Sequence, residues 1–123
     1  SNFTPPSILP DGRAWAAMLK PHAGVMLVNR DKPVRCSFTV TVANPGPPGM
    51  LKFRLNGRAV AEVELGSGPT RVTVPGLDLQ SGKRLLELEW GGGPLPLEGK
   101  AFRIEKRFEA YLLLSGPEIL VEQ

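Results

Sequence analysis

Between Val34 and Val42 the chain alternates without a break, with Val34, Cys36, Phe38, Val40 and Val42 on one parity and Arg35, Ser37, Thr39 and Thr41 on the other. Successive strand side chains point to opposite faces, so a sustained period of two fits a strand with one face buried. Such a strand needs partners on its edges and a second layer over its apolar face. The rest of the chain has to supply both.

It does so with short apolar runs divided by glycine and proline. Asn44-Pro45-Gly46-Pro47-Pro48-Gly49 cannot continue a ladder, because its prolines lack N–H donors, and it reads as a loop. Leu51, Phe53 and Leu55 alternate with Lys52, Arg54 and Asn56, and Asn56-Gly57 is the strongest short hairpin signal. A partner strand follows through Ala59, Ala61, Val63 and Leu65. Gly66 to Pro69 predicts a turn, Thr70 to Val74 a short strand, Pro75-Gly76 another turn, and Gln80 to Lys83 a tight one. Leu86, Leu88 and Trp90 then alternate with Glu87 and Glu89. After the loop Gly91 to Gly99, a strand is predicted to open at Phe102 and Ile104 and to restart over Phe108 to Leu114, and the apolar residues on both parities at Ala110 to Leu114 predict a central strand covered on each side. Ser115-Gly116-Pro117 reads as a turn before a last strand at Ile119 to Val121. Near the start, Val25 to Val28 predicts a strand, while Arg13 to Leu19 fits either a helical turn or a short strand.

These elements predict an all-β fold: a single two-sheet antiparallel β-sandwich of about eight strands, a count that favours a jelly roll over an immunoglobulin-like arrangement with the same alternation. The domain is expected over residues 11–123, with residues 1–10 as an N-terminal tail. Ser1-Asn2, with no initiating Met, has the look of a protease remnant on an excised piece.

Composition narrows the function. Hydrophobic residues are 41% and charged residues 22% of the chain, a globular balance. The net charge is +3, but the fifteen Lys and Arg are spread among twelve acids, which argues against a nucleic-acid partner. Apolar runs are too short to span a bilayer as a helix, so no direct membrane insertion is expected. Cys36 is the single cysteine, so no intramolecular disulfide forms, and its parity makes it a small core hydrophobe. With one histidine, His22, no Cys/His zinc site can be assembled, and no cofactor or metal is expected.

Catalytic equipment is equally sparse. Gly66-Ser67-Gly68 lacks the spacing of a nucleophile elbow. The pairs Glu62/Glu64 and Glu87/Glu89 put two carboxylates about 7 Å apart on one strand face, which some glycosidases use. Outward acids facing Lys52 and Arg54 on a solvated sheet explain them more simply. The chain therefore reads as a non-enzyme, with no catalytic residues.

Aromatic rings can serve as platforms for the C–H face of a sugar, with polar side chains meeting its hydroxyls. Trp90 is expected in the core by parity. Trp15, preceded by Asp11-Gly12-Arg13, is either a ligand contact or a core plug. Asn56 and Arg58 straddle the hairpin turn. Trp15, Arg13, Asn56 and Arg58 are the candidate ligand-binding residues.

The run Leu51 to Val60, with its Asn56-Gly57-Arg58 hairpin, continuing through Pro69 to Val72 and Leu79-Gln80-Ser81-Gly82-Lys83-Arg84-Leu85-Leu86, resembles the core of galactose-binding-like jelly rolls. Asp11 to Trp15 and Tyr111 to Gly116 resemble the opening and closing of accessory domains of that class. The resemblance implies an extracytoplasmic accessory domain, periplasmic or at the cell surface, of a bacterial carbohydrate-active or membrane glycosyltransferase-type protein. It also implies weak glycan contact. The alternative is a structural module with no small ligand, docking on a parent catalytic or membrane domain or on a partner chain.

Overall fold

A computed structural model describes residues 2–97 and 108–122 of the chain. Among them are eleven strands and no α-helix: β1 (Ser7–Ile8), β2 (Ala14–Ala17), β3 (His22–Asn29), β4 (Val34–Asn44), β5 (Gly49–Leu55), β6 (Arg58–Leu65), β7 (Gly68–Leu79), β8 (Gly82–Trp90), β9 (Leu95–Leu97), β10 (Phe108–Ala110) and β11 (Leu113–Val121). One sheet has the order β1-β2-β11-β4-β7 and the other β3-β8-β5-β6, while β9 and β10 form a separate pair. With β1, β9 and β10 set aside, eight antiparallel strands remain in the interleaved order of a jelly roll, as expected.

Strand β4 lies between β11 and β7, so both its edges are paired. Its inward residues Cys36, Phe38, Val40 and Val42 are buried and meet Leu51, Phe53, Leu86, Leu88 and Trp90 from the second sheet. The rings of Phe38 and Phe53 pack tilted, with centroids 6.4 Å apart, across the two layers. A second, smaller cluster lies on the other face of the first sheet. There Trp15, Ala17, Ala43 and Leu113 are covered by Leu97, Phe108 and Ala110 from the β9–β10 pair. The apolar residues on both parities over Ala110 to Leu114 do have cover on both faces, but the single strand expected there is divided between β10 and β11, which lie in different sheets because the chain bends at Tyr111.

Two predicted turns are strand interiors. Pro75-Gly76 does not end β7; the register against β4 shifts between Cys36 and Phe38, and Gly76 takes φ +68. Ser115-Gly116-Pro117 likewise sits inside β11, with a register shift between Ser115 and Glu118 and Gly116 at φ +61. Both are β-bulges, which a glycine in the left-handed region allows. The prolines are tolerated because β7 is an edge strand and β11 has no partner on its β2 side beyond Leu114. Residues 14–17 are strand, which settles the helical alternative. Phe3 bridges Met18, Thr4 N donates to Ala17 O, and Ser7–Ile8 pairs with β2, so the segment expected as a tail runs along β2. The strand predicted at Phe102 and Ile104 lies outside the described residues.

Two buried asparagines fasten the connections. Asn29 Nδ2 donates to Lys32 O and Leu79 O, and its Oδ1 accepts from Asp31 N. Asn44 does the same at the other end, donating to Pro47 O and Gly66 O and accepting from Gly46 N. Each holds its own turn and ties it to a neighbouring segment.

Truncating Phe38 to Ala removes a fully buried ring from both layers and is expected to cost about 3–5 kcal/mol in urea unfolding. Gly92→Ala should also destabilise, by about 1–3 kcal/mol, since its Cβ would fall 2.5 Å from Trp90 Nε1 in a position where the ring is held in the core.

Candidate functional site

The four candidate ligand residues separate into two places. Trp15 lies on β2 in the outer cluster and is only 4% exposed. Its Nε1 donates to Asp11 Oδ2 at 3.0 Å, while Asp11 Oδ1 accepts the backbone N–H of Arg13 at 2.9 Å. Arg13 itself is exposed, and its carbonyl accepts from Leu9 N across the turn. The Asp11 carboxyl is held below its usual range, first by the Arg13 N–H and then by the Trp15 indole. Trp15 is thus an anchor for the β1–β2 turn. The reading of Trp15 as an exposed platform gives way to the core-plug reading, because Leu9, Leu97 and Leu113 pack against its cluster. Trp90 is buried as its parity implied.

Asn56 and Arg58 fall together elsewhere. Asn56 and Gly57 take φ 52 and φ 83, the paired positive values of the predicted two-residue turn. Asn56 N donates to Leu85 O at 3.0 Å and its Oδ1 accepts from Leu85 N at 3.3 Å, so the tip is fixed against β8. Beside it opens a concavity of about 550 Å³ between the β5–β6 hairpin and the last residues of β7. Its lining combines Asn56, Arg58, Asp78 and Gln80 with an apolar floor of Leu55, Val60 and Leu77. Asp78 and Gln80 were not singled out in the sequence, because their proximity to the hairpin depends on β6 and β7 meeting across the two sheets. The bulge at Gly76 contributes: Glu122 accepts the Gly76 N–H at 2.8 Å and pairs with Arg35 at 3.3 Å, fixing the backbone just before Asp78.

A second concavity, of about 460 Å³, opens where β2 and β11 diverge. It is lined by Phe3, Pro6, Ala16, Val25, Phe38, Val40 and neighbouring residues and is almost wholly apolar. Thr4 is its chief polar contributor, and the Thr4 hydroxyl already accepts the Ala17 N–H. It offers little to a hydroxyl-bearing ligand.

The carboxylate pairs do not line either concavity. They lie on the outer face of the second sheet, where Lys52 meets Glu62 at 3.9 Å and Arg54 meets Glu89 at 3.6 Å, all about half exposed. That is the solvated charge ladder expected from the sequence. Among the described residues no group of three His, Cys, Asp or Glu side chains could hold a metal. Cys36 is buried, and burial pushes its thiol upward, with Glu122 and Asp78 adding to the shift.

Scans against protein-family models and against curated proteins find no match. Solved structures do match. The GH26-CBM35 β-(1,4)-mannanase of Podospora anserina superposes with a TM-score of 0.57 at 14% identity, over 96% of this chain and 25% of that one. A family 6 carbohydrate-binding module superposes with a TM-score of 0.54 at 10% identity, over 100% of this chain and 83% of that one. The chain shares its β-sandwich fold with that carbohydrate-binding module. A family two carbohydrate esterase from Clostridium thermocellum, solved with cellohexaose, matches at TM-score 0.53 and 8% identity, over 98% of this chain and 32% of that one. The chain therefore spans about a quarter to a third of the enzyme chains and most of the isolated module. No helix among the described residues is long and apolar enough to cross a membrane.

Both tryptophans should emit at short wavelength and resist acrylamide. Asp11→Ala should red-shift the Trp15 share and lower Tm. Because the folded Asp11 pKa lies below its unfolded value, this contribution is complete above the ordinary Asp range. It is lost as pH falls through the depressed folded pKa, below 3.8. The Trp15 indole N–H resonance should report that acid transition.

Proposed function

We propose that this chain is a non-catalytic, extracytoplasmic accessory domain that binds a glycan in the concavity beside the β5–β6 hairpin. The observation that carries the reading is the lining itself. Asn56, Arg58, Asp78 and Gln80 line one space of about 550 Å³ together with the apolar side chains of Leu55, Val60 and Leu77. A sugar ring needs this mixture, because its hydroxyls both donate and accept while its C–H faces seek apolar surface. Arg58 can only donate and Asp78, when ionised, can only accept, so together they can satisfy a hydroxyl pair that neither could alone. The fold shared with carbohydrate-binding modules supports this reading, and the short share of each enzyme chain that it spans suits an accessory piece.

With no aromatic ring among the described residues of the lining, binding rests on hydrogen bonds and is weak. The backbone around it is preorganised by the Asn56–Leu85 pair and by the Glu122 contact to Gly76, so little ordering opposes binding. Calorimetric titration with a panel of oligosaccharides should detect saturable binding in the millimolar to micromolar range, about −4 to −8 kcal/mol. Arg58→Ala and Asp78→Ala should each weaken it by about 1.5–3 kcal/mol, while Trp15→Phe leaves it unchanged. Failure of every sugar to bind, or equal binding by the Arg58 and Asp78 variants, would leave the structural module as the better account.

A further inference from the structure

Six of the basic residues that look scattered in sequence are brought to one end of the sandwich. Asn29 and Ser81 tie the turn after β3 to the turn after β7, through Lys32 O, Leu79 O and Asp31 O. Arg84 Nη2 donates to Ser81 O, Asn56 holds the hairpin tip to Leu85, and Arg35 pairs with Glu122 beside the same end of β4. Arg30, Lys32, Arg35, Arg58, Lys83 and Arg84 therefore share this end, among the described residues, with the acids Asp31, Asp78 and Glu122. Among the described residues the remaining charges are five cations and seven acids, so the positive excess of the described surface resides here. Of the six cations only Arg35 has a carboxylate partner within ion-pair distance among the described residues, and Arg84 Nε is buried with no hydrogen-bond partner.

We propose that this end selects anionic polysaccharides, those bearing carboxylate groups along the chain, with the concavity holding one sugar and the surrounding cations meeting the acidic groups of its neighbours. The proposal rests on the glycan reading above and adds the charge class of the ligand. Cations gathered at one end around a concave site, most of them without a carboxylate partner, set up a potential that raises the local concentration of a polyanion and its rate of arrival. Within about one Debye length, roughly 10 Å at 0.1 M salt, several of them act on the same ligand. The lining argues for a saccharide over a nucleic acid. Asp78 needs hydroxyl donors, which a sugar offers and a phosphodiester lacks. The tryptophans that could stack on bases are buried in the two clusters.

The test uses the domain as it stands, with oligogalacturonate as the anionic probe and a cello-oligosaccharide of equal length as the neutral one. Calorimetry should show the uronate bound at least ~10-fold more tightly in dilute salt, with that advantage lost as salt rises from about 0.01 M to about 1 M and the Debye length shrinks from about 30 Å to about 3 Å. The double variant Arg30→Glu with Lys83→Glu, both exposed and outside the concavity, should abolish the advantage while keeping the neutral ligand's affinity and the native circular dichroism. Equal, salt-insensitive binding of both probes would overturn the charge selectivity and leave the glycan reading intact. Binding of neither would remove both. Tighter binding of duplex DNA or of phosphatidylserine vesicles than of the uronate would overturn the proposal in favour of a different polyanion.

Discussion

Strand β4 is the constraint from which the rest of the fold follows. It is paired on both edges, to β11 and β7, and its inward side chains are closed over by the second sheet. A slip of one residue would turn Phe38, Val40 and Val42 outward and set Thr39 and Thr41 into the core, so its parity is fixed by burial. That parity then fixes β7, which faces it from Asn44↔Gly68 to Val34↔Leu79. The position of Asp78 beside the hairpin is thus a downstream result of apolar packing some distance away. A single register carries both the stability of the core and the placement of the site's acid.

What could be read from the sequence was what short-range chemistry decides. The alternation of β4, β5 and β8, the left-handed turn at Asn56-Gly57 and the inward Trp90 all follow from side-chain period or from backbone sterics, and all appear as expected. The two misread turns share one origin. Gly-Pro and Pro-Gly pairs end a strand when its edge is paired, yet they fit inside it as a bulge when that edge is open. Sequence does not say which edges are open. Pro75-Gly76 and Gly116-Pro117 both lie where a partner strand is missing on one side.

The candidate site was legible only in part for a related reason. Asn56 and Arg58 stand next to a recognisable turn, but Asp78 and Gln80 join them only through the meeting of β6 and β7. Trp15 is the converse case. Its polar neighbours in sequence suggested a ligand, whereas Asp11 takes up the indole N–H and the β9–β10 pair covers the ring. A buried tryptophan needs a partner for its N–H, and an adjacent acid can supply one as readily as it can signal a surface site. Charge followed the same logic: six cations from several separate segments cannot be recognised as neighbours until the turns that carry them are tied together.

The place of β11 bears on how the molecule is made. It sits between β2 and β4, pairing Leu113 with both Ala17 and Ala43, yet it is the last of these strands to leave the ribosome. Until it arrives, β2 and the exposed side of β4 remain open edges flanking an unfinished apolar layer. Closing that gap requires contacts between residues far apart in the chain, which is slow. Biosynthesis therefore passes through a stage in which the second sheet can already cover β4 while its β11 edge is still unpaired, and it is there that a nascent copy is most exposed to pairing with the wrong strand.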